Sequence, residues 1–79
     1  MERKEVSEEE LLMHLNAELS KHNDMNKVSF ISVERLAKPD RTGCNWSRAQ
    51  VRSRGVSHYI TAPVTGGIVS EARKKYNVK

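Results

Sequence analysis

The chain has 79 residues, 37% of them hydrophobic and 5% aromatic, with one cysteine and a formal net charge of +4. That length allows a single domain over 1–79 whose core supplies no more than roughly 3–5 kcal/mol. The lone cysteine excludes an internal disulfide, and the longest apolar runs fall far short of the ~18 residues of a membrane span.

Met1 to Glu10 is charged where a signal peptide needs an apolar segment, so a soluble, cytoplasmic protein without a membrane partner is expected, with residues 1–6 a disordered N-terminus. Ser7 and Glu10 then stand at the spacing of a capping box, with Val6 and Leu11 placed as a hydrophobic staple and Glu8, Glu9 and Glu10 complementing the helix dipole. A helix over 8–22 follows, in which Leu11, Leu12, Leu15 and Leu19 form one apolar stripe, and Asn23, Asp24 and Asn26 stop it. His14 and His22 on that helix are ~12 Å apart along its axis and cannot share a metal.

From Lys27 the period changes. Val28 to Arg35 is rich in β-branched and aromatic residues and reads as a strand, but its apolar side chains fall on both parities, which calls for burial on two faces or a bulge. The 36–45 segment, containing Pro39-Asp40-Arg41-Thr42-Gly43, is a loop longer than the commonest hairpin turns, the kind of place where function is mounted. Trp46 to Arg54 alternates as a second strand, with Ser47, Ala49, Val51 and Ser53 on one face and Trp46, Arg48, Gln50, Arg52 and Arg54 on the other. Gly55 punctuates, and 56–60 is expected to be a third strand. The last helix is expected to begin at Pro63, with Val64, Ile68, Ala72 and Tyr76 along one stripe and Arg73, Lys74 and Lys75 at its C-terminal end. Gly66 and Gly67 cost that helix up to about 1 kcal/mol each against Ala, which close packing on the sheet or a delayed helix start would offset.

The order is α-β-β-(β)-α, a small two-layer α+β domain with two helices on one face of a two- or three-stranded antiparallel sheet. It resembles the double-stranded-RNA-binding domain in topology alone: that family carries its basic cluster at the start of the final helix, whereas here the start is Pro63-Val64-Thr65-Gly66-Gly67. Topology assigns no function.

Charge is distributed unevenly. Residues 1–24 carry a net −4 and residues 25–79 a net +8. With alternate strand residues on one face, Trp46, Arg48, Arg52 and Arg54 would line an exposed strip about 25 Å long, joined by Arg41 from the loop. Guanidinium groups neutralise phosphates and an indole stacks on a base, so a non-enzymatic module that presents this face to an anionic partner is expected, nucleic acid first. An acidic protein surface is the alternative partner, including the Glu-rich first helix of another copy in a homodimer, which would help so small a core. No paired carboxylates, metal-ligand cluster or nucleophile–base pair points to catalysis or a cofactor, and Cys44 with His58 matches no known Cys/His spacing.

Overall fold

A computed structural model of the chain describes residues 3–22 and 25–79, apart from the side chain of His58. Six elements follow in order: β1 (Lys4–Val6), α1 (Glu8–Leu19), β2 (Val28–Arg35), β3 (Trp46–Ser53), α2 (His58–Lys75) and β4 (Tyr76–Val78). The fold class is α+β, but it holds two small sheets in place of one. β2 and β3 form an antiparallel pair, and β1 and β4 a parallel pair. α1 packs chiefly on β2 and also meets α2.

The N-cap half of the expected capping box forms, the Glu10 amide donating to Ser7 Oγ at 3.1 Å, while Glu10 Oε1 meets the Ser7 hydroxyl at 3.4 Å rather than the Ser7 amide. Leu11, Leu15 and Leu19 are buried one turn apart, and Val6 beside the cap joins the same core. The helix ends at Leu19, short of the expected His22; Asn23 and Asp24, expected to stop it, lie outside the described residues.

Three expectations are corrected. Within 1–6, Lys4–Val6 is a strand whose Val6 is buried, because the chain leaves β4 in position to pair with it, Val6 facing Val78. That pairing joins residues more than seventy positions apart, which no local pattern announces. The third strand at 56–60 is absent, because Ser57 caps α2 by accepting from the Tyr59 amide at 3.2 Å, and its carbonyl takes the Ile60 and Thr61 amides. α2 therefore starts at His58, and Pro63 sits inside it with no N–H to give to the Tyr59 carbonyl.

The glycines of α2 are a further correction. Gly66 and Gly67 lie in mid-helix, exposed, with ordinary negative φ, and a methyl group on either would meet nothing within 4 Å. Neither close packing nor a delayed helix start explains them. Their amides belong to the helix interior, so no anion site opens there.

Two bulges shape the hairpin. Phe30 faces Val51 but Ser32 faces Gln50, leaving Ile31 as an extra residue in β2. This is why Val28, Phe30 and Val33 are all buried despite their mixed parity. The side-chain amide of Asn16 in α1 holds the strand there, accepting from the Phe30 amide at 2.8 Å and donating to its carbonyl at 3.1 Å. The second bulge is in β3: Arg35 faces Trp46 and Glu34 faces Arg48, so Ser47 is the extra residue.

The 36–45 loop is tied to the chain ends. Asp40 Oδ1 accepts from the Thr42 amide and hydroxyl and from the Cys44 amide, while Gly43 turns the chain at φ +90°. Arg73 binds the other Asp40 oxygen and the Trp46 carbonyl. Arg3 donates to the carbonyls of Arg73 and Thr42, both at 2.6 Å. Asn45 acts as one more strand residue, its side-chain amide paired with the backbone N–H and C=O of Val78.

Two outcomes are expected. Gly66→Ala stabilises the protein by up to about 1 kcal/mol, raising the thermal midpoint by several degrees in a melt followed by circular dichroism. The Asp40 carboxyl is held down from 3.8 to about 2, first by the Thr42 hydroxyl, with backbone amides and Arg73 adding to it. A carboxyl with a lowered folded pKa contributes stability above its unfolded value that is lost as pH falls through the folded one. Urea unfolding should therefore show stability declining between about pH 4 and pH 2, with a shallower decline in Asp40→Asn.

Candidate functional site

The helices cover one face of the β2–β3 hairpin and leave the other open. On β3 the Ser47 bulge decides which residues occupy the open face. Without it, Trp46 and Arg48 would share a side; the extra residue turns Trp46 inward while Arg48, Gln50 and Arg52 remain outside. Trp46 is 0% exposed, and its indole N–H donates to the Tyr76 carbonyl at 3.0 Å. The expected row thus divides: its arginines are exposed and its tryptophan is core.

The arginines differ in what they already bind. Arg48 Nε lies 2.7 Å from Glu34 Oε2 across the strand pair. This hydrogen bond is the main reason the Glu34 carboxyl sits below its ordinary value, with Gln50 adding a weaker one, and the same contact raises Arg48. Arg48 is thereby matched by a carboxylate. Arg52 and Arg54 make no ion pair or side-chain hydrogen bond with any described residue. They lie at the open end of the hairpin, where Ser29 faces Arg52 and the Arg54 amide donates to the Lys27 carbonyl.

There the two arginines, Lys27, Asn26, Val28 and Ser29 line a shallow groove of about 320 Å³ with no carboxylate among the described residues of its wall. Lys27 was not singled out in the sequence because only the register of β2 against β3 brings it beside Arg54. Arg41 is exposed on the loop at the other end of the hairpin. The seven-residue strand span between the two ends is about 23 Å, so Arg41 does not join Arg52 and Arg54.

Other candidate groups are occupied structurally. Cys44 is fully buried, with its thiol 3.3 Å from the Trp46 carbonyl, and its suggested base, the His58 side chain, lies outside the described residues. A second groove, of about 580 Å³, runs between α1 and α2 over Leu15, Val64, Gly67, Ile68 and Ala72. Its rim is mixed in charge: Glu18 and Glu71 are already bridged to Lys21 and Lys74, and His14 is stacked on Tyr76 with ring centroids 4.9 Å apart. No helix among the described residues is long and apolar enough to cross a membrane.

In comparison with known proteins, the chain matches no family model, no curated protein and no solved structure.

Proposed function

We propose that the protein is a non-enzymatic binding module that holds the phosphate backbone of a nucleic acid at the open end of its β2–β3 hairpin. One observation carries this: Lys27, Arg52 and Arg54 surround a groove that holds no carboxylate among the described residues, and they pair with no described residue. An unpaired guanidinium is planar, always charged and weakly hydrated, which suits it to phosphate oxygens. Two such groups two residues apart have Cα atoms at most about 7 Å from each other, so neighbouring phosphates of one strand are within their reach.

Arg48 adds less, because a phosphate must compete with Glu34 for it. Trp46 takes no part, being sealed in the core. The face is also a poor place for a second copy of the same chain. The outer edge of β3 has no strand beside it among the described residues. An antiparallel match of that edge with itself would crowd Arg48, Arg52 and Arg54 of both chains into one strip, and like charges on a sheet edge repel such pairing.

The test is fluorescence anisotropy of a labelled oligonucleotide titrated with the full chain at several salt concentrations. Three phosphate contacts on a single strand give a slope of log affinity against log salt of about −2, and Arg52→Ala with Arg54→Ala together reduce it by about 1.4. Absence of binding at low salt, or binding indifferent to both replacements, would rule the function out.

A further inference from the structure

We propose that Tyr59 is a base-stacking residue beside the phosphate-binding groove, and that the ligand is a single-stranded nucleic acid. This rests on the phosphate-binding role of Arg52 and Arg54 and adds to it the class of strand.

Tyr59 is 91% exposed and its side chain makes no hydrogen bond with any described residue, so neither packing nor polar contact accounts for it. Ile60 next to it is 53% exposed, extending an apolar spot at the start of α2. The position of that spot is informative. Tyr59 follows Arg54 by five positions, so their Cα atoms are at most about 17 Å apart, and the Ser57 cap holds the Tyr59 backbone in the first turn of a formed helix. That first turn contains no acidic residue of its own, so the positive end of the helix dipole lies within the same short reach of Arg54.

A tyrosine ring is flat, loses little rotamer freedom on binding and offers a π-face to any base. A cationic groove that tracks the backbone, combined with an aromatic that takes a base, is the way proteins hold single strands without reading their sequence. A duplex would satisfy only half of this arrangement. Its phosphates can reach Lys27, Arg52 and Arg54, but its bases are stacked on one another and present no face to Tyr59. The aromatic sought at Trp46 is therefore supplied from α2, on the far side of Gly55.

The experiment compares three labelled ligands of equal length at one salt concentration: a thymidine oligomer, an abasic deoxyribose-phosphate oligomer and a duplex. Each is titrated with the wild type, Tyr59→Ala, Tyr59→Phe and the Arg52→Ala/Arg54→Ala double variant. Wild type should bind the thymidine strand most tightly. Tyr59→Ala should weaken that binding about 5-fold or more, leave the abasic ligand unchanged and be rescued by Tyr59→Phe. Because Tyr59 is so exposed, its replacement leaves the fold intact, which circular dichroism verifies. If Tyr59→Ala binds the thymidine strand as wild type does while the arginine variant binds it weakly, stacking is refuted and phosphate binding stands. Equal wild-type affinity for the thymidine and abasic strands, or tighter binding of the duplex, also refutes stacking. If the wild type binds none of the three, phosphate binding itself fails.

Discussion

The hydrogen bond from the Trp46 indole to the Tyr76 carbonyl, made possible by one extra residue at Ser47, is the constraint on which the rest of the molecule depends. It places the largest side chain of the protein at the junction of β3, α2 and β4. The same site collects Cys44, whose thiol meets the Trp46 carbonyl, and Arg73, whose guanidinium meets it too. In a domain this small, one buried indole is a large part of the available apolar burial, and losing it would cost about 3–5 kcal/mol, comparable to the whole stability. The bulge has a second effect, since it keeps Arg48, Gln50 and Arg52 facing water although Trp46 two residues earlier faces the core.

Much of the chain's positive charge is structural. Arg3 and Arg73 clamp the 36–45 loop to the chain ends, Arg35 bridges Glu8 and the Lys79 carbonyl, and Arg48 meets Glu34. The excess of +8 over residues 25–79 already deducts Glu34, Asp40 and Glu71, so it counts mainly cations without an acidic partner. Of these, Lys27, Arg52 and Arg54 line one groove at the open end of the hairpin, while Lys38 and Arg41 lie on the loop at its other end. Guanidinium groups bound to backbone carbonyls help to close a fold that has no disulfide, and those left over define its most distinctive surface.

Legibility in the sequence followed the range of the interactions. The first helix was readable because Ser7, Glu10 and the leucine stripe act within a few residues of one another. The hairpin was readable from β-branched residues and alternation, and mixed parity in 28–35 left burial on two faces or a bulge, of which the register at Ile31 shows the bulge. The bulge at Ser47 left no such mark, because 46–54 alternates without interruption, and so Trp46 was placed outside. β1 and β4 were hidden because each is three residues long and exists only through the other. The start of α2 was misplaced because Pro63 is a stronger local signal than Ser57, and with it went the position of Tyr59. The candidate site was thus legible in Arg52 and Arg54, while Lys27 and Tyr59 needed the register and the true helix start.

The most direct measurement of this account is the fluorescence of Trp46, the single tryptophan, with and without iodide and with and without a single-stranded oligonucleotide. A tryptophan sealed behind the Ser47 bulge gives blue-shifted emission that iodide does not quench and that the oligonucleotide leaves unchanged. Red-shifted emission quenched by iodide, and quenched again by the oligonucleotide at the concentrations that produce binding, would put the indole on the open face beside the arginines and contradict the account.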